Sequence, residues 1–181
     1  MTRDDLRRLA ALEIDFGSIG LMEPGIPQAP CFCTPEGAEY VGRLGCDGVH
    51  FILLPGDERV FCVDPAMGEP GKYVLPVGAD LRQFLSYVLY CGDANPLSQL
   101  RWMDESRFRA LLEEDRAALA GCGDLSARKA AACAAVAGAF GLSPADPFRP
   151  VKAMQAAFDP AVLSFSEAYY DTLGLEREER S

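Results

Sequence analysis

Apolar residues recur at three- and four-residue spacing through most of this chain, and give way to β-branched and aromatic runs between positions 49 and 75. Thr2 to Glu13 reads as a first helix. Thr2 is placed to cap it, Asp4 and Asp5 suit its positive end, and Leu6, Leu9, Ala10 and Leu12 form a stripe. Residues 17–30 hold three prolines and three glycines and read as loop with a short edge strand. Thr34-Pro35-Glu36 has the order of a helix start, a hydroxyl followed by proline and an acid, and predicts a short helix ending at Gly45.

The period then changes. Val49–Leu54 and Val60–Val63 read as strands joined by the turn Pro55-Gly56-Asp57-Glu58, and Tyr73–Leu75 as a third. The first run is almost wholly apolar, which predicts a central strand covered on both faces. Asp80 opens the strongest helix, in a capping box with Gln83. Leu81, Phe84, Leu85, Val88 and Leu89 share one face, and Cys91-Gly92 ends it. Further helices are predicted over Asp104–Leu119, Ser126–Phe140, Val151–Phe158 and Ser166–Leu173, with the proline-rich segment 142–150 as a linker and a frayed tail over 176–181.

The expected fold is α+β: an N-terminal helix, a mostly antiparallel sheet in the first half, helices packed on it, and a helical C-terminal half. A length of 181 residues fits one domain, a core over 1–91 with a helical extension over 92–181. A formal charge of −10, with 17 basic and 27 acidic side chains, argues against nucleic acid as a partner. No apolar run reaches the ~18 residues of a membrane span, and the first residues lack an apolar signal core, so the expected setting is cytoplasmic without membrane contact. Seven cysteines are an odd number in a chain able to bury a core, which favours reduced thiols acting as small hydrophobes.

Two chemistries can be written around the single histidine, His50. Cys31, Cys33, Cys46 and His50 offer ligand types that suit zinc, and strand alternation would place Cys31 and Cys33 on one face, although the Cys-x-Cys spacing is not a zinc knuckle. A cysteine thiolate paired with His50 would be a nucleophile. Against both, His50 stands in a hydrophobic strand run, where a histidine more often satisfies one edge hydrogen bond. The carboxylate groups Asp4-Asp5, Asp57-Glu58, Glu113-Glu114-Asp115 and Glu178-Glu179 fall mostly in turns or on solvated faces. The phosphate-binding glycine loop, the dinucleotide turn, the Gly-x-Ser-x-Gly elbow and the His-Glu-x-x-His helix are all missing. Trp102 and Tyr169-Tyr170 are either interface anchors or core, and the place of Trp102 next to Met103 and Phe108 favours core.

Leu44-Gly-Cys-Asp-Gly48, the strand Val49–Leu54, the strand ending Val60-Phe-Cys-Val-Asp64 and the phrase Ala79-Asp-Leu-Arg-Gln-Phe-Leu85 together resemble the SUKH superfamily. That family contains the yeast cell-wall synthesis regulator and many bacterial toxin-immunity proteins. The resemblance spans roughly residues 30–90 and implies a protein without catalysis or cofactor, a sheet with helices packed on it that presents a concave or edge surface to a protein partner. In bacterial members that partner is often a toxin domain, and a basic toxin would suit the acidic balance. Along the hairpin, the residues that would meet it are Asp47, His50, Asp57, Glu58 and Asp64. The competing reading is a small thiol- or zinc-dependent protein using Cys31, Cys33, Cys46 and His50.

Overall fold

A computed structural model describes residues 2–45, 47–67 and 69–176. The chain runs α1 (Thr2–Ala10), β1 (Glu39–Arg43), β2 (His50–Leu53), β3 (Val60–Val63), β4 (Val74–Gly78), α2 (Leu81–Cys91), α3 (Asn95–Gln99), α4 (Glu105–Ala120), α5 (Gly123–Phe140), α6 (Phe148–Ala156) and α7 (Glu167–Leu173). The strands form one antiparallel meander in the order β1-β2-β3-β4, so the fold is α+β with helices following the sheet. No helix among the described residues is long and apolar enough to cross a membrane.

Strand alternation sends every second side chain to opposite faces, and each face carries its own core. Phe51, Leu53, Val60 and Cys62 point to one side, where Leu6, Leu9, Phe84, Leu85, Val136 and Val151 cover them from the helices. Ile52, Leu54, Phe61 and Val63 point to the other, beneath Cys33, Leu163, Phe165 and Tyr169. β2 and β3 are buried along their whole length, as the unbroken apolar run at 49–54 predicts for a central strand. The helical half therefore divides. α2 to α6 cover the first face, and residues 158–175 cross to the second.

α2 follows its local signals closely. Asp80 Oδ1 accepts the Gln83 N–H at 2.7 Å, and Gln83 Oε1 reaches back to the Ala79 amide at 2.8 Å. The buried residues Leu81, Phe84, Leu85 and Val88 are four of the predicted stripe, and Gly92 ends the helix at φ 75°. The approach of sheet to helix is close here. A Cβ on Gly78 would stand 2.8 Å from Phe84 Cβ, so the end of β4 needs glycine for room.

Three expectations fail for physical reasons. The helix predicted from Thr34 to Gly45 is absent, and residues 39–43 form β1 instead. Tyr40 is a strand former that pairs with Ile52 of β2, and Val41 sits in a bulge between the paired Tyr40 and Gly42. Gly37 sits at φ 73° against Pro55, and a Cβ on Gly42 would stand 3.4 Å from the Leu21 backbone. The segment 142–150 is no free linker. Ala145 N–H donates to Ser86 O at 3.1 Å, Pro147 is buried, and α6 begins at Phe148. Trp102, expected in the core, is 60 % exposed. The tail over 176–181 lies outside the described residues beyond Glu176.

Both edges of the sheet are occupied. Met22 exchanges backbone hydrogen bonds with Arg43 (2.9 and 3.0 Å), and Gly25 N–H donates to Tyr40 O, so the loop before β1 lies along its outer side. On β4, Pro76 offers no N–H, and its carbonyl accepts Gln155 Nε2 of α6 at 3.3 Å.

Candidate functional site

His50 opens β2, and its ring turns toward the face covered by the C-terminal segment. Tyr40 of β1 stacks on it, with centroids 4.9 Å apart and planes 19° from parallel. His50 Nδ1 lies 2.7 Å from the Gly48 carbonyl oxygen, which can only accept, so Nδ1 carries the proton. Nε2 is then an acceptor and takes the Thr34 hydroxyl proton at 3.2 Å. Thr34 Oγ1 in turn accepts the Cys31 N–H at 3.0 Å. The hydroxyl that resembled a helix cap thus ties the turn at 31–34 to the strand. Burial holds the imidazole pKa below its ordinary range, with the Gly48 bond pulling weakly the other way. At neutral pH the ring is an uncharged structural link.

Around this link the chain bends through Asp47 (φ 53°) and Gly48 (φ 70°) and leaves a recess of about 250 Å³. Gln28, Cys31, Tyr40, Arg43, Asp47 and His50 line it. A second recess of about 390 Å³ adjoins it, sharing Gln28 and Tyr40, and is walled by Leu6, Pro27, Pro30 and Pro35. The charges at the rim are partly committed. Arg43 pairs with Glu23 at 2.7 Å and Arg3 with Glu39 at 2.6 Å, while Glu36 and Asp47 have no cation within ion-pair distance among the described residues. The Glu36 amide donates to Ser164 O at 2.9 Å, which fastens the wall of the larger recess to the C-terminal segment.

The thiols do not gather as the spacing suggested. Residues 31–34 make a turn closed by Thr34 N–H to Cys31 O at 3.0 Å, not a strand, so alternation does not apply. Cys31 lines the smaller recess with its Sγ 3.9 Å from Gly48 O, whereas Cys33 is fully buried in the core of the second face. Burial raises the Cys31 pKa and pushes Cys33 up to about 12. No hydrogen bond joins Cys31 to His50, and both ring nitrogens are already engaged, so the pair is not arranged as thiolate and imidazolium. Among the described residues, no three His, Cys, Asp or Glu side chains stand close enough to share a metal ion. Cys46 lies outside the described residues.

The five residues expected to face a partner do not form one surface. His50 is 3 % exposed and lies beneath the recess rather than on a binding face. Asp47 is at its rim. Asp64 is on the same end of the hairpin, where its Oδ1 accepts the Ala66 amide at 2.9 Å. Asp57 and Glu58 occupy the turn at the other end, a strand length of roughly 13 Å away. There Asp57 pairs with Arg59 at 2.7 Å and Glu58 accepts the Thr2 amide at 2.9 Å. Thr34, Tyr40, Gln28 and Arg43 build the recess and carry no sequence signature. Only the density of prolines before β1 hinted that this loop has a fixed shape. Comparisons with protein-family models, with characterised proteins and with solved structures return no match for this chain.

Proposed function

We propose that this chain is a non-enzymatic protein-binding module of the SUKH type, an immunity or regulatory protein that receives a basic protein such as a toxin domain. The observation that carries the reading is the pair of adjoining recesses beside β1. Both are concave, the larger walled by Pro27, Pro30 and Pro35 and the smaller lined by mixed polar and apolar side chains. They bear uncommitted carboxylates at Glu36 and Asp47, and their only imidazole is neutral and fully hydrogen-bonded. Such a surface suits the insertion of basic side chains with apolar stems, and lacks an activated nucleophile or base. The order of helix, hairpin and capped helix agrees with what the SUKH resemblance implies. With both sheet edges occupied, contact falls to side chains rather than to an added strand.

Co-purification with the products of adjacent genes, followed by association kinetics, tests this. A basic, toxin-like neighbour should be retained. Glu36→Lys with Asp47→Asn should slow its association several-fold and flatten the salt dependence, leaving the fold intact. Asparagine is chosen at 47 because it tolerates the positive φ there. Retention of abundant housekeeping proteins alone, or unchanged kinetics in the rim variant, would sink the proposal.

A further inference from the structure

Trp102 is the single tryptophan of the chain and one of its most exposed large apolar side chains, at 60 %. It ends a short 3-10 turn, Leu100–Trp102, between α3 and α4. Leu100 beneath it is fully buried and Met103 packs on the same core, so fixed backbone presents the indole to solvent. The Arg101 guanidinium lies 4.1 Å from the indole centroid. Arg101 Nη1 donates to Lys72 O at 2.5 Å, and Lys152 Nζ donates to Arg101 O at 2.8 Å, which holds a second cation beside the first.

These two cations are uncommitted. Neither Arg101 nor Lys152 takes part in an ion pair among the described residues. Asp64 and Glu69 act on Arg101, and Asp104 on Lys152, only through space; none of the three makes an ion pair with either cation, and Glu69 is paired with Lys72. Burial lowers the pKa of both cations, and the Arg101 charge lowers Lys152 further. An arriving carboxylate would relieve that cost. Arginine presents five N–H donors in a planar fork matched to a carboxylate, and only one contact of that fork is taken. Tryptophan and arginine are also the residues most enriched where binding energy concentrates.

We propose that Arg101, Trp102 and Lys152 form a docking point for an acidic, apolar segment of a partner protein. A Glu or Asp carboxylate fills the open guanidinium and ammonium donors, and a neighbouring aliphatic or aromatic side chain lies on the indole. The net charge of −10 does not set the sign of this contact, because at physiological salt charges beyond ~8 Å are largely screened. The site is separate from the recess beside β1, and either can fail without the other.

Because Trp102 is the sole tryptophan, its emission reports on this point directly. The full chain is titrated with a capped octapeptide of alternating Glu-Asp and Leu-Phe pairs, and with its Lys-Arg counterpart. The acidic peptide is expected to give a saturable blue shift and the basic one none. Arg101→Gln and Lys152→Gln, which keep the reporter, each weaken binding by about tenfold. Trp102→Ala, read by calorimetry, abolishes it, and circular dichroism confirms that each variant is folded. No saturable response to the acidic peptide, an equal response to the basic one, or a shift that follows protein concentration without peptide (self-association) would each overturn the assignment.

Discussion

His50 illustrates how a residue that looks chemical becomes structural. Its ring is stacked on Tyr40, bonded at both nitrogens and shielded from water, so the fold stabilises the neutral form. An unfolded chain protonates this imidazole near its ordinary value of 6.5, whereas the folded chain resists protonation until lower pH. The unfolded state therefore binds more protons as pH falls below 6.5, and folding stability declines there by up to about 1.4 kcal/mol per pH unit. The contribution is complete above that value and lost on acidification. Since no other histidine is present, urea unfolding at pH 7 and pH 5.5 isolates it. His50→Gln should flatten the difference, and an unchanged slope in that variant would assign the pH dependence to another group. The sequence exposed the presence of one histidine, but its partners were not legible. Thr34 is sixteen positions away and Tyr40 ten; the pairing of β1 with β2 brings Tyr40 to the ring, and the turn at 31–34 carries Thr34 to it.

Elements whose signals are local were legible, and those that depend on a neighbour were not. α2 carries its cap, its stripe and its stop within one stretch of sequence, and α4 and α5 likewise announce their apolar positions and terminal glycines. β1 does not. Thr-Pro-Glu is a sound helix start on its own, but the following residues find better partners in β2 than in one another. The contact between β4 and α2 is equally invisible from sequence, since nothing beside Gly78 says that Phe84 will approach. Gly78→Ala places a methyl group 2.8 Å from Phe84 Cβ and 3.1 Å from its backbone nitrogen. It should cost about 1–3 kcal/mol in chemical denaturation. A neutral outcome would mean that β4 and α2 separate more easily than the packing indicates.

At the scale of the whole molecule, the helical half is a sandwich rather than an appendage. Helices α1 to α6 close one face of the sheet, and the segment after Ala157 closes the other with Leu163, Phe165 and Tyr169. Tyr169 stacks on Phe165 with centroids 4.0 Å apart, and its hydroxyl accepts the Gly71 amide at 3.3 Å. Burial of each such side chain contributes about 1.5–3 kcal/mol, so this short segment holds a large share of the second core. Truncation after residue 157 should expose Ile52, Leu54, Phe61 and Val63. Strong binding of a hydrophobic dye and a lower Tm are expected, with helical circular dichroism from α2–α6 largely kept. A truncated chain as stable as the full one, with no dye binding, would show that the second face does not need its cover. The sequence marked residues 166–173 as a helix but could not say which face they serve, because that depends on where the chain crosses the sheet.

The covered margins of the sheet also govern what the molecule does when crowded. Strand-by-strand growth between copies needs a row of free backbone groups, and here one margin is lined by the loop 22–25 and the other interrupted by Pro76 and Gln155. Templated fibrillar assembly from the native state is thereby blocked, and misassembly must begin with the peeling of one of these covers. Concentrated stocks should fail by slow, opening-limited precipitation rather than by seeded growth.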